Sequence, residues 1–224
     1  MGSESQLMEQ ILSGIGVLDK AMYLVELLER RSRTLAELVE DSAMSRSTVH
    51  RMLLALELHG LAARDADGRW HLGARLIGLG VAASDSFPLA RLAEPVLARL
   101  RDESGESVQL YVRQGEHRVC LSALDSPHEL RTIVAPGAVL ELGVGSAGRL
   151  LGGASPGASG WLESVEDRAP GVASVSAPVC DRSGVVVAAV SVSGPLDRIT
   201  RRPGALHGAE VVAAARSIEA RLAR

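Results

Sequence analysis

The chain has 224 residues, 46% of them hydrophobic, with 24 Lys and Arg set against 27 Asp and Glu and a net charge of −3. That is enough chain for one large domain or two smaller ones, each able to bury a core. The charge balance excludes a generally basic nucleic-acid coat, and the 2% aromatic content excludes a base-stacking surface for single strands.

In chain order, Ile15, Leu18, Met22, Val25 and Leu28 recur at helical spacing and predict a first helix. Leu35, Leu38 and Val39 stand at i, i+3 and i+4 and share one face of a second. Ser42-Ala43-Met44 interrupts the pattern. Ser45 then offers a hydroxyl cap to a third helix, whose apolar stripe is Val49, Met52, Leu53 and Leu56. At about 100° per residue the opposite side holds Ser47, His50 and Arg51, with Arg46 and Thr48 in the first turn. Two short helices around a tight break form a helix-turn-helix, in which the first turns of the second helix face base edges and phosphates. An ordinary helical hairpin with a solvated face has the same local pattern, so the next segment matters.

Residues 61–64 and 69–72 alternate around Asp65-Ala-Asp67-Gly68, which predicts a β-hairpin directly after the second helix of the motif. A hairpin there is the wing of a winged helix-turn-helix, with Arg64 and Arg69 at its flanks in reach of phosphate. Glu26, Glu29, Glu37, Glu40 and Asp41 offset the arginines of this head. DNA affinity therefore has to come from a local patch at Arg46, Arg51, Arg64 and Arg69, doubled by dimerisation and sensitive to salt.

Residues 72–83 read as a helix weakened by glycines, and Ser84-Asp-Ser-Phe-Pro88 ends it. The division is a winged head over 1–73, a linker helix over 74–87 and a body over 88–224. The body opens with a helix over 89–103 on Leu92, Val96, Leu97 and Leu100. Strands follow at 107–113 and 118–124, a further candidate at 130–135, and a hairpin at 172–180 and 185–193. A terminal helix spans 205–222. Strands with helices at their ends and no regular βαβ alternation indicate an α+β fold.

Cys120 and Cys180, each in apolar context, suit two buried thiols in a reducing cytoplasm better than a disulfide framework. No signal peptide and no membrane-spanning run is visible. Gly143-Val-Gly145-Ser-Ala-Gly148 fits the GxGxxG pattern of NAD-dependent oxidoreductases, but no βαβ unit surrounds it. His117, His128 and His207 lack metal-ligand spacing and a neighbouring nucleophile, and read as surface histidines. The expectation is a protein with no catalytic residues, no metal and no cofactor.

In the body, Val187, Ala189, Ser191 and Ser193 alternate and are expected on one side of a strand, as an apolar wall that becomes hydroxyl-lined. Serines near a solvated strand end have the same pattern.

Taken together, the chain resembles the IclR family of transcriptional regulators nearly end to end, and is most similar to its actinobacterial members. The resemblance is carried by Gly16-Val-Leu-Asp-Lys-Ala21, Ser45-Arg-Ser-Thr-Val-His-Arg-Met-Leu53 and Gly68-Arg-Trp-His-Leu-Gly73 in the head. In the body it is carried by Gly105-Glu-Ser-Val-Gln-Leu110, Pro170-Gly-Val-Ala-Ser-Val-Ser-Ala-Pro-Val179 and Val190-Ser-Val-Ser-Gly-Pro195. It implies a GAF-like effector-binding body, a homodimer or dimer of dimers, and a repressor of operator DNA that answers to an organic-acid or amino-acid-like metabolite. Ser191 and Ser193 match the segment whose serines contact the effector. Ser146 and Ala147 match a turn that opens a helix and can hold a carboxylate. Ser174 and the loop from Ser164 to Glu166 match the remaining polar side. Most members carry a few dozen further residues, including a helix, where this chain joins Arg149 to Gly160 by a short polar, Gly-rich stretch. That shortening predicts a more open pocket, or one closed by a neighbouring subunit, or one that no longer binds.

Overall fold

The computed structural model describes residues 16–85 and 87–223, in two compact units that divide between Ser86 and Phe87.

The head begins with α1 (Gly16–Arg30), which buries Leu24, Leu27 and Leu28. The core-facing stripe is thus rotated from the predicted one: Leu18 and Met22 are nearly half exposed, and Ile15 lies outside the described residues. The helix turns Leu24 inward as the neighbour of Leu28 four residues on, a pair that the Leu18–Met22 spacing had masked. Helix α2 (Leu35–Ser42) starts in a capping box. Thr34 Oγ1 accepts from the Glu37 backbone N–H at 3.2 Å, and the Glu37 carboxylate accepts from the Thr34 N–H at 2.7 Å. It ends at Ala43, whose φ of 53° is left-handed and turns the chain sharply into α3 (Arg46–Leu58). Ser45 Oγ caps α3 by accepting from the Thr48 N–H at 3.2 Å. Val49, Met52, Leu53 and Leu56 are buried as their spacing predicts.

Strands β1 (Ala62–Arg64) and β2 (Trp70–Leu72) pair antiparallel, Ala62 opposite Leu72 and Arg64 opposite Trp70. Asp65 Oδ1 holds the turn by accepting from the Asp67 and Arg69 N–H groups. Trp70 also exchanges two backbone bonds with Arg33, tying the wing to the α1–α2 connection, and its buried ring joins the helical core. Helix α4 (Arg75–Asp85) follows.

The body opens with α5 (Pro88–Ser104), with proline preset in its first turn and Gly105 at φ 70° after its end. A six-stranded antiparallel sheet has the order β5-β4-β3-β8-β7-β6. Its strands are β3 (Ser107–Gln114), β4 (His117–Leu124), β5 (Val139–Glu141), β6 (Leu162–Val165), β7 (Val172–Cys180) and β8 (Val186–Pro195). Short helices α6 (Gly145–Leu151) and α7 (Leu196–Ile199) and the long α8 (Pro203–Leu222) complete it. The predicted strand over 130–135 does not form; that stretch is an irregular loop, and the pairing with β4 is made by 139–141.

Side-chain alternation gives the sheet two different faces. Val108, Leu110, Val175, Ala177, Val190 and Val192 pack in one core with α5 and α8. Tyr111, Cys120 and Ala189 form a smaller one with Leu150 and Leu151 of α6. Trp161 lies in a notch of α8, where a Cβ at Gly204 or Gly208 would overlap its indole ring. That glycine pair, one turn apart, lets the start of β6 sit against the terminal helix.

Candidate functional site

The head presents one polar face. Ser45, Arg46, Ser47, His50 and Arg51 are exposed on the N-terminal half of α3 and Thr48 is half-buried. Among them Ser45 and Thr48 are engaged locally: Ser45 Oγ lies 2.8 Å from Thr48 Oγ1 and 3.1 Å from Ser47 Oγ. No hydrogen bond or ion pair holds Arg46 or Arg51 among the described residues. The wing arginines are different. Arg64 donates to the Gly68 carbonyl at 3.3 Å and lies 5.9 Å over the Trp70 ring. Arg69 reaches back to the Ser32 carbonyl at 3.0 Å and the Glu37 carboxylate at 3.0 Å. Glu37 also takes Arg31 at 2.6 Å, and its pKa falls to about 2, chiefly through the Thr34 backbone N–H and then Arg31. The predicted patch of four arginines therefore divides into two unpaired on α3 and two that brace the wing.

In the body, Ser146, Ala147, Ser164, Ser174, Ser191 and Ser193 converge on one cavity from α6, β6, β7 and β8. Glu166 does not join them: just past β6, its carboxylate accepts from the Gly171 N–H at 3.1 Å and pairs with Arg201 at 3.0 Å. Val187 also departs from its expected neighbours. Cys180 pairs with Val186 and Val179 with Ala188, so Val187 bulges out of register and packs on the helix side. Ala189, Ser191 and Ser193 keep the predicted face.

The hydroxyls are linked. Ser146 Oγ stands 2.7 Å from both Ser174 Oγ and Ser176 Oγ, and Ser193 Oγ donates to Gln109 Oε1 at 3.1 Å. The cavity also contains a cation that the sequence reading did not single out. Arg118 of β4 is 3% exposed, lies 5.2 Å from the Tyr111 ring centre, and donates to the Glu141 carbonyl at 2.9 Å and to the Val144 carbonyl. Its Nε has no hydrogen-bond partner among the described residues. Burial, above all, lowers its pKa, yet a guanidinium keeps its proton in a protein, so the cavity wall carries positive charge. Gly148 makes the seat possible, because a Cβ there would overlap Arg118 Nη1. A second arginine, Arg168, is exposed at the cavity's edge. The missed signal was a charge inside the alternating apolar strand His117-Arg-Val-Cys-Leu121.

The cavity is about 30 Å³, smaller than the open pocket that the sequence reading offered as one outcome of the short 149–160 stretch. The stretch turns through a single 3₁₀ turn at Gly157–Ser159, and the Gly152, Gly153 and Ala154 N–H groups are bonded back to α6 carbonyls.

Elsewhere, His117 is half-buried at the start of β4, His128 is exposed and His207 is buried, with Nδ1 2.9 Å from Glu210. The surface reading of His207 is corrected: it falls on the buried face of α8 with Gly204, Gly208 and Val211. No group of three potential metal ligands occurs among the described residues. Every pairing in the sheet is antiparallel and α6 has only seven residues, so Gly143, Gly145 and Gly148 do not belong to a βαβ nucleotide fold. No single described helix is long and apolar enough to cross a membrane.

Comparison with known proteins gives consistent results. The IclR helix-turn-helix domain matches residues 17–66, and the bacterial transcriptional regulator IclR C-terminal domain matches residues 81–159 and 154–220. HTH-type transcriptional regulator BhcR of Paracoccus denitrificans is 29% identical over 243 residues, covering 92% of this chain and 86% of the relative. That alignment is longer than the 224-residue chain, so the relative carries residues without counterparts here. Transcriptional repressor IclR of Escherichia coli K12 is 25% identical over 224 residues, 84% of this chain and 82% of the relative. The structure of an IclR homologue from Microbacterium hydrocarbonoxydans complexed with 4-hydroxybenzoate superposes with a TM-score of 0.75 at 21% identity, covering 92% of this chain and 98% of that one.

Proposed function

The chain belongs to the IclR family of DNA-binding transcriptional regulators, and from that premise we propose that it is a repressor whose grip on operator DNA is set by a small organic acid. The observation that carries the DNA half is the exposed face of α3, where Arg46, Ser47, His50 and Arg51 stand together and the two arginines have no partner among the described residues. Arg64 and Arg69 hold the wing in shape, and Arg64 at the wing flank adds phosphate contact. The helix enters the major groove and the wing lies along the backbone.

The active species is a homodimer or a dimer of dimers. Apolar side chains left in water on the head support it: Val17 is 71% exposed on α1, and Ile77 and Val81 are 73% and 60% exposed on α4. Pairing also doubles a small basic patch on a head whose acids offset its other arginines. A two-fold pair of α3 helices about 34 Å apart, or a multiple of that, matches successive major grooves.

The body supplies the signal. Serine hydroxyls and a buried guanidinium suit a carboxylate, and the related homologue bound to 4-hydroxybenzoate carries an aromatic acid. The effector acts by its differential affinity for the two head arrangements. Repression as the sign of control follows the name of the E. coli relative. The body is also read as shortened. Its two family matches meet at 154–159, and the BhcR alignment exceeds this chain in length.

Footprinting upstream of the chain's own gene identifies the operator. Arg51→Ala then tests the reading face in a fluorescence anisotropy titration. Each phosphate contact removed lowers the salt slope by about 0.9, so a dimer loses about 1.8. Unchanged affinity and slope at physiological salt would refute the assignment. Ser191→Ala with Ser193→Ala is expected to leave operator affinity intact and blunt its response to the effector.

A further inference from the structure

The inner cavity, at about 30 Å³, has room for a small polar group such as a carboxylate and not for a whole metabolite. The rest of any effector must lie elsewhere. A second cavity of about 580 Å³ adjoins the first, and both have Arg168 and Val172 in their walls. It lies between the irregular loop 130–133, the β6–β7 connection and the end of β8.

The chemistry of the two chambers differs. The inner one has hydroxyls and Arg118, whose buried Nε has no partner among the described residues. The outer one is bordered by Leu130, Ile133, Val172, Pro195 and Leu196, and Leu130 and Ile133 are 64% and 62% exposed. Its charges do not invite a second acid group. Arg131 is paired with Asp125 at 3.4 Å, and the Asp197 carboxylate lies in the wall. Arg168, exposed at the boundary, is a long side chain that can swing without disturbing the core.

We propose that the two chambers form one site for an elongated monocarboxylic acid, with its carboxylate at Arg118 and the serines and its apolar body past Arg168 against Ile133, Val172 and Leu196. The inference rests on the effector role given to the inner cavity above. It adds that selectivity among acids is exerted by the outer chamber, where a longer apolar body covers side chains otherwise left in water. A short acid satisfies only the head-group end.

The test is calorimetric titration of the full chain with acetate, propanoate, octanoate and 4-phenylbutanoate. The two long acids are expected to bind at least tenfold tighter than propanoate. Ile133→Asp, a change at an exposed position, is expected to erase that preference and leave propanoate binding as it was. Arg118→Gln is expected to weaken all acids alike; Ser193→Ala serves as a milder head-group variant should the glutamine chain fail to fold. Equal binding of short and long acids overturns the two-chamber proposal, as does a preference untouched by Ile133→Asp, while the carboxylate reading survives both. Failure of every acid to bind, or binding indifferent to both head-group variants, removes the carboxylate reading and this proposal with it.

Discussion

Replacing Gly148 by alanine tests whether Arg118 is seated as the cavity requires. Gly148 is buried in α6, and an added Cβ would overlap Arg118 Nη1 and stand 3.1 Å from the Glu141 carbonyl. Two effects oppose each other. Alanine favours the helix by about 1 kcal/mol over glycine. Against that, the guanidinium must leave the Glu141 and Val144 carbonyls, and hydrogen bonds from charged groups are each worth about 1.5–3 kcal/mol. At 3% exposure it has little access to bulk water to replace them. The net expectation is a loss of about 2–5 kcal/mol, a fall of roughly 6–20 °C in the body's melting transition. Scanning calorimetry of the full chain reads it directly. A Gly148→Ala chain that melts at or above the wild-type temperature would show that Arg118 is not held by this contact, and the charged wall of the cavity would go with it.

Three further outcomes follow from local geometry. Glu37 is depressed to about 2 from 4.5 by the Thr34 N–H and Arg31, so its contribution to the head is complete above pH 4.5 and is lost as pH falls toward 2. Thermal melts between pH 5 and 2.5 should show that slope and Glu37→Gln should flatten it; parallel curves would exclude the capping box as its source. Ala43→Gly should raise head stability by up to about 1 kcal/mol in chemical denaturation, because it removes a left-handed alanine at the helix-turn-helix break; a lower midpoint would mean that the turn is unstrained. Burial lifts the Cys120 thiol to about 12, so iodoacetamide at pH 8 should leave it unmodified in the native chain, with half-buried Cys180 the first to react. Mass spectrometry of the labelled peptides distinguishes the two.

The candidate DNA surface was legible because its determinants are local. A cap at Ser45, a stripe of four apolar residues and a hairpin turn at Asp65–Gly68 each act over a few residues, and each forms in the structure. Distant pairings were less legible. The loop at 130–135 has strand-like composition, but β4 pairs with 139–141 instead, and a bulge opposite Val179 and Cys180 turns Val187 away from Ala189. Arg69 read as a phosphate contact because nothing near it in sequence reveals Glu37, 32 residues earlier, as its partner. The serines of β8 could be put on one face by alternation, whereas Ser174 of β7 came only from the resemblance. Arg118 could not, since a charge in an apolar strand acquires meaning only when α6 closes over it.

By itself, then, the sequence determined the long helices, the paired strands β3–β4 and β7–β8, the winged head and the polar faces of α3 and β8, since periodicity and capping are short-range. Only the tertiary structure decided which arginines carry unpaired charge, how small the inner cavity is and what adjoins it. Those properties arise where segments far apart in the chain meet, and there burial and partner geometry override local pattern.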